Sequence, residues 1–225
     1  MTDGPEQDPA IFQRCDTCVT FPYTTREYAM RALWQLVRGT LFRWSPRRAY
    51  GWRNMLLQLF GAKVESFVQV RPTCKIFHPW LLEIGHWTSL ADDVEIYNLG
   101  PVKIGSHSVI SQGSYVCAGT HDYTRPDLPL QRPPIRIGSG VWIAAQVFVG
   151  PGVTVGDNSV IGARAVVTRD VPSGVVAGGN PARVIKPRTM RAASGAATSS
   201  ANGTATAASP AVAMSIASKD AKPST

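Results

Sequence analysis

Apolar side chains recur every six residues through most of residues 64–171. An α-helix repeats its apolar face every 3.6 residues and a half-buried strand every 2, so this period fits neither. It is typical of a β-helix, in which each hexapeptide forms one short strand and one turn, and three hexapeptides close a triangular coil. The aliphatic positions are Val64, Val70, Ile76, Ile84, Leu90, Ile96, Ile104, Ile110, Val116, Ile137, Ile143, Val149, Val155, Ile161 and Val167. Small residues or valine stand four positions later, at Thr88, Ser108, Ser114, Thr120, Val141, Val147, Val153, Ser159, Ala165 and Val171.

The turns and the interruptions of the period agree with a β-helix. Glycine, which accepts the backbone geometry of a tight corner, follows many of the aliphatic positions. A β-sandwich would instead alternate with period 2 and have loops of varying length. Extra residues enter between 76 and 84, between 96 and 104, and in the largest number between 116 and 137. A solenoid accepts insertions at its corners, where they project, so the long insertion is the predicted place for a site.

Residues 26–60 predict two amphipathic helices ahead of the repeats. Thr24 or Thr25 can cap the first helix, and Ser45 followed by Pro46 predicts the start of the second. Gly61 is expected to end it.

This arm holds seven arginines and one acid, in a chain whose net charge is +8. Two interpretations remain open. The arm either caps the open first coil of the β-helix, or lies on a membrane with its arginines toward anionic head groups and its tryptophans at the boundary. Nucleic acid is not expected as a partner, because no groove-reading motif is visible.

The predicted organisation has four parts. A flexible N-terminus spans residues 1–23, a basic helical arm 24–62, the β-helix 63–186, and a disordered tail rich in Ala, Ser and Thr 187–225. No secretory signal, membrane-spanning run or disulfide framework is recognised, which favours the cytoplasm, with contact to the inner membrane face left open. A zinc site would have to join Cys15 and Cys18 to Cys74 and Cys117, and it is not expected.

Several segments carry a resemblance to a known family. They are IYNLG at 96–100, GTHDY at 119–123, IGSGVWI at 137–143, GPGVTVGDNSVIGA at 150–163, VTRDVP at 167–172 and GNPAR at 179–183. Over roughly residues 26–188 the chain resembles the left-handed β-helix acyltransferases, most of all the colanic acid biosynthesis acetyltransferases and the maltose and galactoside acetyltransferases. The resemblance implies an all-β, left-handed parallel β-helix that forms a homotrimer. It also implies an O-acetyltransferase that moves acetyl from acetyl-CoA to a hydroxyl of a sugar or exopolysaccharide precursor, such as a lipid-linked saccharide.

His121 is the candidate general base. Acyl transfer to an alcohol needs a group that removes the hydroxyl proton, and a neutral imidazole suits the task. Of the four histidines, His121 stands at the start of the long insertion and matches the family's catalytic histidine. A partner for its second ring nitrogen would hold the tautomer. Either Asp122 or a backbone carbonyl could serve, and Asp122 is doubtful because neighbours on a strand point to opposite faces.

The resemblance also implies the binding residues. Asn98 matches an aspartate that hydrogen-bonds the acceptor sugar in the maltose and galactoside enzymes, although it could merely support a turn. Asp122 and Tyr123 are further acceptor candidates. The positions that match the family's CoA contacts are Ala145, Ala163, Thr168, Arg169 and Lys186, and Arg183 is a second candidate for phosphate. Trp142 matches a family tryptophan beside the CoA groove, with a structural role as the alternative. Arginine and lysine suit phosphate whatever the ancestry.

Two alternatives share the fold. The γ-type carbonic anhydrases hold zinc with three histidines, but the histidine spacing here does not match theirs, so no metal is expected. A non-catalytic hexapeptide-repeat scaffold that only binds partners is the second alternative, and CoA binding would distinguish it from an enzyme.

Overall fold

The computed structural model describes residue 13 and residues 23–190. Most of the N-terminal segment 1–23 and of the tail 187–225, and with them Cys15 and Cys18, lie outside the described residues, so the domain boundaries stay predictions. The chain divides into two units, Met1–Thr189 and Met190–Thr225. Both helices and every strand named below belong to the first unit.

The repeats form three parallel sheets that the chain visits in turn. Sheet A comprises β1 (Lys63–Val64), β4 (Leu82–Ile84), β7 (Val102–Ile104), β12 (Ile135–Ile137) and β15 (Thr154–Val155). Sheet B comprises β2 (Gln69–Val70), β5 (Ser89–Leu90), β8 (Val109–Ile110), β13 (Trp142–Ile143), β16 (Val160–Ile161), β18 (Val175–Gly178) and, antiparallel at its end, β19 (Arg183–Pro187). Sheet C comprises β3 (Lys75–Ile76), β6 (Glu95–Tyr97), β9 (Tyr115–Cys117), β14 (Phe148–Val149) and β17 (Val166–Val167). A two-stranded hairpin of β10 (Thr120–His121) and β11 (Leu130–Gln131) stands apart.

The aliphatic residues that recur every six positions form the core of this β-helix. Each of the fifteen aliphatic positions is at most 7% exposed, so the predicted fold is confirmed. Most of the small positions are buried too, and the hydroxyl of Ser108 donates to the carbonyl of Gly138 on the next coil at 2.8 Å. Thr120 is the exception to the predicted pattern, since it opens the hairpin and is only half-buried, while Ala118 fills the core there.

The arm folds into α1 (Thr25–Val37), a π-helical turn (Arg38–Phe42) and α2 (Tyr50–Leu59), and a 3-10 turn (Pro79–Leu81) follows in the first coil. Thr24 caps α1 through a capping box with Glu27. The predicted start of α2 at Pro46 is wrong, because the helix begins four residues later, at Tyr50. The Arg53 guanidinium binds the Ser45 hydroxyl and the Pro46 carbonyl, both at 2.8 Å, and so holds that segment as a turn.

The arm covers the first coil with one face and exposes apolar side chains on the other. Trp34 is buried and donates its indole N–H to the carbonyl of Ile76 at 2.7 Å. Arg53 is also fully buried, and Arg38 is half-buried with its guanidinium 5.3 Å from the Phe77 ring, so these two arginines do not stand free in solvent as a purely interfacial helix would require. The outward side carries Leu33, Leu36, Leu41, Trp44, Trp52, Met55 and Leu59, all at least two-fifths exposed. Of the described helices, none has the length and apolarity to cross a bilayer.

Candidate active site

The long insertion forms a hairpin at the corner where the chain leaves sheet C for sheet A. We call this the C–A corner; it comprises residues 77–81, 98–101, 118–134, 150–153 and 168–170 in successive coils. Thr120 pairs with Gln131 and His121 with Leu130 across the hairpin. Its base packs on the coil before it, because a Cβ at Gly100 would meet the carbonyl of Arg132. The insertion is therefore a structured projection anchored to the solenoid.

His121 is exposed and held in one orientation by the hairpin loop. Its Nδ1 lies 2.6 Å from the carbonyl oxygen of Leu128. A carbonyl can only accept, so Nδ1 carries the hydrogen and Nε2 of the neutral ring presents its lone pair to solvent. The sequence left Asp122 and a backbone carbonyl open as partners of the second ring nitrogen. In the structure that partner is the backbone carbonyl of Leu128.

Asp122 closes the loop of the hairpin. Its Oδ1 accepts from the Thr124 amide at 3.0 Å and from the Thr124 hydroxyl at 2.6 Å. These hydrogen bonds, the hydroxyl first, lower the pKa of the Asp122 carboxyl. Tyr123 is 87% exposed at the loop tip. Both remain predicted acceptor contacts, with Asp122 committed in part to the turn.

Asn98 supports a turn, which is one of the two roles that the sequence left open for it beside contact with the acceptor sugar. It is fully buried one coil below the hairpin. Its Oδ1 accepts from the amides of Phe77 and His78, and its Nδ2 donates to the carbonyl of His78 at 2.6 Å. Since no part of the side chain is exposed, direct contact with an acceptor is not available to it in this geometry.

The predicted CoA residues fall in two places. Ala145 and Ala163 lie at the corner between sheets B and C, the B–C corner, and the Arg164 amide donates to the Ala145 carbonyl at 2.9 Å. Trp142 is half-exposed on the outer face of sheet B and donates its indole N–H to Ser111 Oγ at 3.0 Å. In one chain Ala145 and Ala163 lie before the amino ends of sheet C strands and His121 lies beyond the carboxyl end of another, so the width of sheet C separates them, with Trp142 farther away on sheet B.

The remaining CoA candidates lie on the last coils. Arg169 and Arg183 line the same cleft of about 160 Å³. Thr168 is exposed beside it on the C–A corner, and Lys186 is exposed on β19. Guanidinium groups suit phosphate, although Asp170 lines the same cleft.

An aromatic row lies on the outer face of sheet C between these two edges. The ring centroids of Tyr97 and Tyr115 are 6.1 Å apart, and those of Tyr115 and Phe148 are 5.8 Å apart. Burial is the main cause that raises the pKa of both tyrosines. The row runs across the neighbouring strands β6, β9 and β14 and is half-buried in one chain.

Sequence reasoning missed several features. It did not assign the Leu128 carbonyl, because a backbone contact leaves no residue signature. It counted Arg53 among the arginines of the exposed arm, although Arg53 falls on the helical face of Leu56, Leu57 and Phe60, which could have shown its burial. It also left His78 without a role, and His78 is 2% exposed with Nδ1 placed 3.0 Å from the Asn98 carbonyl.

Comparison with known proteins identifies the family. A family model described as bacterial transferase hexapeptide (six repeats) matches residues 134–169. The colanic acid biosynthesis acetyltransferase WcaF of Escherichia coli (strain K12) is 49% identical over 156 residues, which make up 69% of this chain and 86% of that protein. The chain belongs to the hexapeptide-repeat acetyltransferases. The resemblance seen in the sequence, the fold class and the prediction of an enzyme are confirmed.

Solved structures agree with this membership. A galactoside acetyltransferase in complex with coenzyme A aligns with a TM-score of 0.69 and 28% identity, covering 75% of this chain and 86% of that one. A hexapeptide-repeat acetyltransferase of Vibrio cholerae, complexed with acetyl-CoA, aligns with a TM-score of 0.65 and 28% identity, covering 74% and 91%. Within the part of this acetyltransferase that the structure describes, no group of three or more His, Cys, Asp and Glu side chains could hold a metal.

Proposed function

We propose that this hexapeptide-repeat acetyltransferase transfers the acetyl group of acetyl-CoA to a hydroxyl of a sugar or exopolysaccharide precursor, with His121 as general base. The observation that carries the proposal is the 2.6 Å contact from His121 Nδ1 to the Leu128 carbonyl, which leaves Nε2 as the proton acceptor. The acceptor hydroxyl gives its proton to Nε2 while its oxygen attacks the thioester carbon. The tetrahedral intermediate collapses with release of the CoA thiolate, which takes up a proton.

The Leu128 carbonyl has a defined task in this mechanism. As His121 takes the proton, positive charge develops on the ring, and the carbonyl dipole at Nδ1 stabilises it. The imidazole needs no reorientation, because the hairpin already holds it. Arg169, Arg183 and Lys186 are proposed to bind the phosphates of CoA, and Trp142, Ala145, Ala163 and Thr168 to line its arm.

We further propose that the working site is formed between subunits of a homotrimer. The width of sheet C separates His121 from Trp142, Ala145 and Ala163 in one chain. A neighbour packed on the aromatic row of sheet C would bring its own B–C corner next to His121. Threefold closure repeats the same contact three times and leaves no open interface.

Three measurements on one preparation test this function and the proposed assembly. Titration with CoA should show saturable binding, and incubation with acetyl-CoA and a saccharide should release free thiol together with O-acetylated sugar. Sedimentation equilibrium should give three times the chain mass of 24.2 kDa. CoA binding without transfer to any saccharide would favour the scaffold alternative, and full turnover by a stable monomer would contradict the shared site.

We also propose that the arm docks on an anionic membrane surface. The support is its outward side, where Trp44 is 83% exposed and Leu59 is 75% exposed, close in sequence to the exposed Arg43 and Arg48. Tryptophan, leucine and arginine on one surface are the composition of an interfacial helix. In a trimer with parallel axes, three such surfaces would lie at the same end and could meet one bilayer together.

Flotation with phosphatidylglycerol vesicles tests the docking. Replacing both Arg43 and Arg48 by glutamine should weaken vesicle binding roughly thirtyfold, because each basic residue near an anionic surface contributes about 1 kcal/mol. Trp44→Ser should weaken it as well, and neither change should affect turnover of a soluble acceptor. Arg136→Gln, on the outer face of sheet A, is the matched control. If the wild-type protein does not float, the arm is only a cap.

A further inference from the structure

A pocket of about 420 Å³ lies on the outer face of sheet A, against the base of the hairpin. We call it the sheet A pocket, and two rows of side chains line it. The charged row follows the outer face of the sheet: Lys63, Glu83, Lys103 and Arg136. The apolar row lies at the C–A corner and includes Trp80, Pro101 and Pro134. The volume falls in the range of small-molecule sites, about 300–1,000 Å³.

The register of sheet A fixes the two rows. Lys103 and Arg136 are Cα partners on neighbouring strands, and Glu83 is the partner of Lys103 on the other side. Neighbouring strands lie about 4.8 Å apart, so the charged residues form a ladder with that spacing. Pro101 and Pro134 each stand two residues before a member of the ladder, and residues two apart in an extended chain share a face. Apolar surface and charge therefore border the same space.

The ladder carries more positive charge than its carboxylate balances. The Lys63 ammonium is 2.6 Å from Glu83 Oε1, and the Lys103 ammonium is 3.6 Å from Glu83 Oε2. The hydrogen bond from Lys63 is the main cause that lowers the pKa of Glu83, so this carboxyl is ionised at neutral pH and serves both lysines. The side chain of Arg136 has no ion pair or hydrogen bond within the described part of the chain. Three cations thus share one carboxylate.

The next position of the ladder does not relieve Arg136. Its Cα partner there is Thr154, which is neutral. The Asp170 carboxylate accepts from the Thr154 amide at 2.7 Å and makes no ion pair with Arg136. Like charges at directly paired positions destabilise a sheet, so Lys103 beside Arg136 is an unfavourable pair that an anion would stabilise.

The donors and the apolar wall together indicate the kind of ligand. A guanidinium binds two oxygens of a carboxylate or a phosphate through two hydrogen bonds, and an ammonium adds a compact third donor. Trp80 and the two prolines offer apolar surface on which the C–H face of a sugar ring can pack. An anionic sugar residue uses both rows at once.

The hairpin connects the pocket with His121. Pro134 lines the pocket, and Gln131, three residues earlier, pairs with Thr120, the neighbour of His121. Consecutive Cα atoms are about 3.8 Å apart and paired Cα atoms about 5 Å, so the Cα atoms of His121 and Pro134 are at most roughly 21 Å apart. A chain of several sugar residues can span this length.

We propose that the sheet A pocket binds a sugar residue with one anionic group, and that it anchors oligosaccharide acceptors for acetylation at His121. The group is a carboxylate or a phosphate held between Lys103 and Arg136, while the sugar ring packs on Trp80. The proposed trimer contact uses sheet C and the B–C corner, so this face of sheet A stays open. The anchoring role rests on the proposed acetyl transfer, whereas binding in the pocket does not.

Calorimetric titration with methyl β-D-glucuronide, glucose 1-phosphate and the neutral methyl β-D-glucoside tests the binding. One of the anionic sugars should bind wild type at least about tenfold more tightly than the glucoside, because charge-assisted hydrogen bonds are the strong ones. The preferred anion tells carboxylate from phosphate. Lys103→Gln and Arg136→Gln should each remove most of the preference. Glu83→Gln should tighten anion binding up to about fivefold, the effect of a surface ion pair, because the lysines lose a competing carboxylate.

Arg26→Gln is the matched control, because it removes one positive charge from an exposed position of α1. It should bind all three sugars like wild type, which separates a local contact from an effect of net charge. Melting temperatures show whether each variant keeps its fold. Equal affinity of wild type for the three sugars, or equal anion affinity of Arg26→Gln and Arg136→Gln, overturns the pocket.

Turnover of a matched pair of oligosaccharides tests the anchoring. The pair is maltotetraose and maltotetraose with the preferred anionic group on its terminal residue. The anionic form should have at least about tenfold higher kcat/KM in wild type, and Arg136→Gln should remove this difference while the neutral form stays within about twofold. Equal turnover of the pair, with anion binding intact, overturns the anchoring and leaves the pocket and acetyl transfer standing. Anion binding without turnover of either form supports the pocket and contradicts the proposed transfer.

Discussion

Replacement of His121 by alanine should lower turnover at least about a hundredfold while leaving the affinity for acetyl-CoA nearly unchanged. General-base catalysis typically contributes 10²–10⁴-fold, and the proposed imidazole acts on the proton of the acceptor, not on the thioester. The Leu128 carbonyl contact means that the wild-type ring is already aligned for this step. Steady-state kinetics with a thiol-release readout, and a separate CoA titration, measure the two effects.

Lys186→Ala is the contrasting variant. Lys186 is exposed on β19, far along the chain from the hairpin, and is proposed to hold a CoA phosphate. A contact remote from the reacting carbonyl binds ground state and transition state alike, so its loss should raise the KM for acetyl-CoA with a modest change in kcat.

If His121→Ala keeps more than about a tenth of wild-type turnover, an order of magnitude above the smallest effect expected, then His121 is not the base.

The solenoid was predictable because its signal is repeated along the chain. Every aliphatic position of the period reports the same environment, so one local exception such as Thr120 does not change the conclusion. The end of α2 was predictable for a different reason. Gly61 has a φ of +88°, a left-handed conformation that glycine adopts without strain, and so the glycine marks the helix end.

The site was predictable only to the level of single residues. The position of His121 follows from the insertion, but its partner is a main-chain carbonyl that any residue at 128 would supply. The roles of Asn98 and Arg53 depend on which carbonyls and amides the neighbouring coils bring to them, and no local pattern encodes that. The guanidinium carbons of Arg31 and Arg132 lie 4.1 and 4.5 Å from the centroid of the Tyr23 ring, and only the folded chain brings together segments about a hundred residues apart in sequence.

Arg53→Met should destabilise the protein more than any other arginine change in the arm. The guanidinium of Arg53 is fully buried between α2 and the first coil. Its Nε donates to the Val70 carbonyl at 2.6 Å, and its terminal nitrogens donate to Ser45 Oγ and to the carbonyls of Pro46 and Arg47, each at 2.8 Å. One side chain thus ties the turn after the π-helix to sheet B.

Methionine keeps much of the volume but has no donor. The buried carbonyl of Val70 would then lose its Arg53 donor, and an unsatisfied buried polar group costs about 1–3 kcal/mol. The carbonyls of Pro46 and Arg47 lose the same donor, but these residues are exposed and water can replace it. Burial lowers the pKa of Arg53, because the charged guanidinium is costly to keep out of water. Removing this buried cation therefore offsets part of the lost stability. We therefore expect a net loss of about 2 kcal/mol in the free energy of unfolding, which lowers Tm by roughly 4–8 °C for a chain of this size.

Thermal unfolding at a fixed protein concentration measures the change, because assembly makes Tm concentration-dependent. Arg48→Met is the matched control: Arg48 is exposed in the same segment, and surface substitutions usually stay within about 0.5 kcal/mol. If Arg53→Met melts together with Arg48→Met, the carbonyls have found other donors and Arg53 does not hold the cap on the solenoid. If the predicted gap is seen while turnover at low temperature is kept, the cap stabilises the β-helix without taking part in the chemistry at His121.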